Sequence, residues 1–172
     1  AVAFSPDGLF LATGSDDRVV RIWDARGLPN VCLSDSAPRG PAEFSGSVLY
    51  TAVFSFDGQL AIVGGRHQQA RAWATADGRR LAAFEGHQHD VTAVAISRDG
   101  RRVASGSQRE VRVWSNEMAR LYTVLQGHEG YVLAVAFSPD GQRLLTGAED
   151  RKLMLWDADT GRWKMTLSGH AD

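Results

Sequence analysis

The sequence is poor in cysteine. Cys32 stands alone among 172 residues, so no intrachain disulfide can form. A single thiol fits a reducing compartment, and a cytoplasmic setting is the expectation. Long apolar runs are also missing. The longest uncharged one, Tyr131 to Phe137, falls far short of the roughly 20 residues that cross a bilayer as a helix. The opening Ala-Val-Ala-Phe-Ser-Pro-Asp-Gly has neither the basic start nor the apolar core of a secretory signal. It also lacks an initiator Met, so the chain is expected to be a piece of something longer. No sign of charge prevails: 19 basic residues face 20 acidic ones, a net charge of −1. Surfaces that grip nucleic acid or anionic lipid carry a basic excess, so neither partner is expected. Phosphate-cradling Gly-rich loops, a Gly-x-Ser-x-Gly elbow and His-Glu-x-x-His are all absent.

What is present is a repeat. An Asp-Gly pair recurs at Asp7, Asp57, Asp99 and Asp140, and a Trp follows each Asp by 15 or 16 residues, at Trp23, Trp73, Trp114 and Trp156. A Gly-His pair lies 13 residues beyond each of the last three Trp residues, at Gly86-His87, Gly127-His128 and Gly169-His170. Hydrophobic residues at 44% supply enough apolar surface for a packed core. Locally each unit reads as strands. Leu133 to Phe137 runs into the turn Ser138-Pro139-Asp140-Gly141, where Pro presets φ for the second turn position and Gly suits the fourth. Arg143 to Thr146, Lys152 to Trp156 and Arg162 to Ser168 complete an up-and-down meander of four strands. Inner strands such as Ala52-Val53-Phe54 and Val94-Ala95-Ile96 are apolar on both faces, which predicts sheets packed face to face.

The pattern Gly-His … Ser-Pro-Asp-Gly … Thr-Gly-x-x-Asp … Leu-Trp-Asp resembles the WD40 repeat, in four units of approximately 1–47, 48–89, 90–130 and 131–172 that cover nearly the whole chain. The resemblance implies an all-β fold, a β-propeller segment of four blades, each a four-stranded antiparallel meander. It also implies a hydrogen-bonded tetrad of His, Ser or Thr, Asp and Trp in each unit. The fourth unit supplies all four residues: His128, Thr146, Asp150 and Trp156. The first has Thr13, Asp17 and Trp23. The third has His87, Ser105 and Trp114, with a turn one residue short and Gln108 where the Asp belongs. The second has Trp73 alone, with Ser45 near the His position and His67 at the Asp position. Replacing Asp150 by Ala is therefore expected to cost about 1–3 kcal/mol.

Closed propellers have roughly four to eight blades. Four units of this type are expected to form an open arc cut from a larger ring. Its end blades would expose apolar faces, with self-association as one way to cover them. The step from the first Trp to the second is longer than the other two. The excess falls at Ser34 to Ser47 and reads as a surface loop, either a tolerated insertion or a docking element.

Chemistry-bearing residues are few. His87-Gln88-His89-Asp90 has the spacing to start a zinc or nickel site, but the tetrad role of His87 leaves His89 and Asp90 as solvated loop. Cys32 has no base beside it in sequence and reads as a structural thiol. Arg21, Arg71 and Arg112 precede their Trp by two residues, where the stem packs between blades and the head pairs with a carboxylate. No catalytic residue, metal ligand or cofactor is expected. The resemblance points instead to partner contacts at the residue before each tetrad Asp position, namely Asp16, Arg66, Gln108 and Glu149. It adds the residues flanking the start of each innermost strand: Val48, Tyr50, Asp90, Thr92, Tyr131 and Leu133. Tyr50 and Tyr131 are the natural anchors. The function expected is a non-catalytic scaffold for a protein or peptide. The alternative is a regulatory arm of a larger signalling enzyme, a kinase or NTPase, with its catalytic domain elsewhere.

Overall fold

The computed structural model describes residues 1–14, 20–26, 31–33, 48–66 and 68–167. Asp16, Asp17, Ser45, His67, the Gly169-His170 pair and the whole inserted loop from Ser34 to Ser47 lie outside the described residues. Cys32 is described only as backbone. It sits in an outer strand, paired with Arg21.

The first unit holds β1 (Val2–Phe4), β2 (Phe10–Gly14), β3 (Val20–Asp24) and β4 (Val31–Leu33). The second holds β5 (Leu49–Phe54), β6 (Leu60–Gly65), β7 (Gln69–Ala74) and β8 (Arg80–Glu85). The third begins with β9 (Ala93–Ile96), β10 (Arg102–Gly106) and β11 (Gln108–Ser115). The remainder of the chain forms β12 (Leu121–Phe137), β13 (Arg143–Ala148), β14 (Leu153–Asp157) and β15 (Trp163–Leu167). Every neighbouring pair is antiparallel and follows chain order. The expectation of a separate four-stranded sheet for each unit fails in one place. β12 leaves the outer edge of the third unit and becomes the inner strand of the fourth without a break, so β9–β15 form one seven-stranded sheet. Pairing of Glu110 with Gln126 and of Gln108 with Tyr131 holds the connection extended.

Each first turn is built by the same three side-chain bonds. Ser55 Oγ donates to Asp57 Oδ1 (2.5 Å) and accepts from Leu60 N–H (2.9 Å), while Asp57 Oδ1 accepts from Gln59 N–H (3.1 Å). Gly58, at φ 70°, takes the left-handed position that closes the turn. The Ser5–Asp7, Ser97–Asp99 and Ser138–Asp140 pairs repeat the pattern. In each of the four, the serine hydroxyl holds the aspartate below the usual carboxylate range.

The core lies at the junctions between units. Ala12 and Ile22 of the first unit pack with Leu49, Phe54 and Trp73 of the second. Ile62, Ala70 and Phe84 pack with Val91, Val103 and Trp114 of the third. Ala104, Val113 and Leu125 pack with Val132, Leu144 and Trp156 of the fourth. Strands apolar on both faces were the sequence signal for this, and the buried run Ala61–Gly65 of β6 displays it.

Burial sets a problem for the polar ring atoms, and the tetrads answer it. In the fourth unit Trp156 Nε1–H donates to Thr146 Oγ1 (2.8 Å), Thr146 Oγ1 lies 2.8 Å from His128 Nε2, and His128 Nδ1 lies 2.9 Å from Asp150 Oδ2. An ionised Asp150 makes Nδ1 the protonated nitrogen, so the threonine hydroxyl donates to Nε2 and the relay is satisfied with a neutral ring. In the third unit Trp114 Nε1–H donates to Ser105 Oγ (2.8 Å), and His87 Nε2 is 2.7 Å from that hydroxyl. The carboxylate is Glu110, whose Oε1 lies 2.7 Å from His87 Nδ1. Glu110 thus supplies the acid that is missing at the Asp position, where the sequence has Gln108. The turn is a residue short, Arg109 adopts φ 62°, and Glu110 reaches back from β11. Arg112 locks Glu110 in turn, with Nε 2.8 Å from Oε1, and lies over the Trp114 ring. Gly86 adopts φ 132°, a backbone conformation that favours glycine. In the first unit Trp23 Nε1–H donates to Thr13 Oγ1 (2.7 Å). In the second, Val63 takes the register position of these hydroxyls, opposite Arg71 as Ser105 is opposite Arg112.

Two outcomes follow. Glu110→Ala and Asp150→Ala should each lower unfolding free energy by about 1–3 kcal/mol, because each strips a buried imidazole of its acceptor. Gln108→Ala should change it by less than about 0.5 kcal/mol. Urea melts of the three variants check the assignment. The second outcome concerns pH. Burial lowers the pKa of His87 against the opposing pull of Glu110, with Arg112 also lowering it. His87 is therefore neutral when folded and takes up a proton on unfolding below its ordinary 6.5. Stability from this site is complete above about pH 6.5 and declines as the medium acidifies. A second decline begins below about pH 4, as unfolded aspartates protonate before Asp7, Asp57, Asp99 and Asp140. Melting temperatures measured from pH 8 to pH 3 should show both.

Candidate functional site

The turns after β6, β10 and β13 and the connections into β5, β9 and the second half of β12 lie at one end of the sheets. Local backbone bonds fix this rim. Arg66 N–H donates to Val48 O (3.1 Å), Glu149 N–H to Tyr131 O (2.9 Å), and Thr92 N–H to Gly106 O (2.9 Å). The predicted contact residues therefore assemble in pairs. Val48 sits with Arg66, Gln108 pairs with Tyr131, and Tyr131 N–H also donates to Glu149 Oε2 (3.3 Å).

Some of these pairs bridge units. Tyr50 Oη donates to Asp90 Oδ2 at 3.3 Å, tying the second unit to the third, and the Asp90 carbonyl accepts from Ser107 Oγ (2.8 Å). Thr92 Oγ1 donates to Val132 O (2.5 Å), tying the third to the fourth. Thr92 thus spends its hydroxyl inside the rim rather than offering it outward. Tyr50, Arg66 and Leu133 are exposed. Leu133, Gly147, Glu149, Lys152 and Leu153 line a cavity of about 340 Å³ at the end of the fourth unit. Asp16 lies outside the described residues.

The rim rests on the tetrads. Asp150 receives Glu129 N–H (2.9 Å) and Lys152 N–H (3.0 Å) besides the His128 ring. Burial works against its charge, but these donors outweigh burial and its pKa is lowered. Three rim residues escaped the sequence reading. Arg109 donates from Nε to Glu129 O (3.2 Å), and Lys152 Nζ pairs with Glu129 Oε1 (3.1 Å). Arg109 follows from a left-handed backbone that a long side chain rarely takes, and no residue pattern signals it. Lys152 and Glu129 are 23 residues apart, so only the fold brings them together.

Both ring nitrogens of His87 and of His128 are bonded to neighbouring side chains, so neither is an available base or metal ligand. The expected pairing of the pre-Trp arginines holds for Arg112, with Glu110, and Arg71 Nε donates to Gln69 Oε1 (3.2 Å). Among the described residues no helix is long and apolar enough to cross a membrane.

Comparison with known proteins identifies the repeat. The family model described as "WD domain, G-beta repeat" matches residues 1–24, 78–115 and 119–157. The WD repeat-containing protein 26 homolog of Drosophila melanogaster is 37% identical over 108 residues, covering 61% of this chain and 17% of that protein. Guanine nucleotide-binding protein subunit beta-5b of Danio rerio is 31% identical over 109 residues, covering 62% and 26%. The general transcriptional corepressor TUP1 of Saccharomyces cerevisiae is 71% identical over 24 residues, covering 14% and 3%. The chain thus spans about a quarter or less of the length of these relatives. With the matched repeats covering more than half of its residues, the chain belongs to the WD40-repeat family.

Proposed function

We propose that the chain is a non-catalytic scaffold that binds a protein or peptide on the rim that carries the Tyr50–Asp90 and Tyr131–Glu149 pairs and Leu133. The observation that carries this reading is the cross-unit bond from Tyr50 Oη to Asp90. It holds an exposed aromatic in place before any partner arrives, so little ordering entropy is lost on docking. The name of one relative fits, since a subunit of a guanine nucleotide-binding protein is a member of an assembly. The partner is a protein rather than nucleic acid or membrane, in keeping with the even charge balance. A cytoplasmic setting belongs to the same reading.

Peptides selected from a random display library against the chain test it. Those that bind should lose about 30-fold in affinity, the equivalent of a 2 kcal/mol anchor, on Tyr50→Ala or Leu133→Asp. Melting temperatures should stay within about 2 °C of the parent. Selected peptides that bind both variants unchanged would place the binding surface elsewhere.

A further inference from the structure

The turns that follow β1, β5, β9 and β12 stand at the end of the sheets opposite the rim. They form a row. A Cβ at Gly58 would lie 3.3 Å from Asp7 Oδ2, so the first turn adjoins the second. A Cβ at Gly141 would lie 3.9 Å from that of Ser97, so the third adjoins the fourth. Phe56 and Arg98 link the second turn to the third, with the Arg98 guanidinium 4.6 Å from the centre of the Phe56 ring. The row crosses the internal junctions between units, away from the outer faces of the first and the fourth.

Two of the four turns break their own rule. Between the Ser and the Asp, the first and fourth have Pro6 and Pro139, the residue that presets this turn. The second and third have Phe56 and Arg98 instead. Neither compensates by filling the core, because Phe56 is 58% exposed and Arg98 is exposed as well. Phe56, Arg98, Asp99, Pro139 and Asp140 line a cavity of about 230 Å³ that draws on three successive units. A local preference given up without gain to the fold marks a place where the surface has another use. Charge says what that use is. The turn aspartates are engaged by the fold: Asp57, Asp99 and Asp140 each accept from a serine hydroxyl and from the N–H two residues on. The arginines are not. Arg102 pairs with Asp159, but the side chains of Arg98, Arg101 and Arg143 make no hydrogen bond or ion pair among the described residues. A guanidinium held over an aromatic ring keeps its N–H donors available to a carboxylate, which it grips in two places at once.

We propose that this end of the sheets binds an acidic peptide segment of another protein. A Glu or Asp carboxylate of that segment pairs with Arg98, and an adjacent apolar side chain enters the cavity against Phe56 and Pro139. Arg101 and Arg143 flank the cavity and draw further acidic residues to either side. The surface lies at the far end of the strands from Tyr50 and Leu133, so substitutions at those residues leave it intact and the two proposals stand or fall separately.

Selection from a random peptide display library tests it, with the full chain carrying Tyr50→Ala and Leu133→Asp as the target so that the rim anchors are gone. The recovered peptides should be rich in Asp and Glu beside an apolar residue, and their affinity should fall as salt rises. On that background Arg98→Glu should weaken them by about 30-fold or more and Phe56→Ala by about 10-fold. Arg98→Lys should fall between the parent and Arg98→Glu, because lysine keeps the charge but not the planar fork. All three variants change exposed residues, so melting temperatures should stay within about 2 °C of the target's. An empty selection, peptides without acidic enrichment, or acidic peptides indifferent to Arg98→Glu would overturn the proposal. So would a single-stranded oligothymidylate that binds more tightly than the peptides and displaces them, since the surface would then serve nucleic acid.

Discussion

A sheet covered on both faces leaves the indole N–H of a buried tryptophan without water, so its partner must come from the protein itself. The repeat meets this constraint with a hydroxyl one strand away, at Ser105 for Trp114 and at Thr146 for Trp156. The hydroxyl then needs an acceptor for its own proton, and the imidazole supplies it. The imidazole in turn needs an anion beyond it. Each step exists because the previous group is buried, and leaving any one unpaired costs more than the bond itself is worth. In the fourth unit the His arrives from the preceding connection and the carboxylate from the turn, so the network stitches three segments at one end of the unit.

That end is where the rim forms. The acceptors that satisfy the histidines also receive loop N–H groups, as Asp150 receives those of Glu129 and Lys152. Fold stability and surface shape therefore share the same atoms. The third unit shows how far this arrangement tolerates change. Moving the carboxylate to Glu110 keeps a hydrogen bond to His87 and brings Arg112 into the network.

Much of this was legible in the sequence because it rests on period. The spacing of Asp-Gly, Trp and Gly-His fixes the strand meander, and apolar inner strands such as Val94-Ala95-Ile96 announce burial on both faces. The hydroxyls at Thr13, Ser105 and Thr146 followed from the resemblance to the WD40 repeat. Glu110 did not, because a shortened turn breaks the count at the very residue in question. A side chain one methylene longer can also span the gap from a different position. Nor did the Tyr50–Asp90 bond, which joins residues 40 apart whose proximity is a property of packing between units. Register within a unit is local information; contact across units is not.

The unbroken β12 has a further consequence. In arrays of repeats, neighbours communicate through side-chain interfaces, and each unit retains some freedom to open alone. Here a single strand of 17 residues carries main-chain bonds to β11 on its first half and to β13 on its second. Opening the third unit would pull on the ladder of the fourth, so the two behave as one cooperative block while the first and second remain separate ladders. The chain is therefore mechanically lopsided, with its stiffest span in the stretch that carries Tyr131, Leu133 and the complete tetrad.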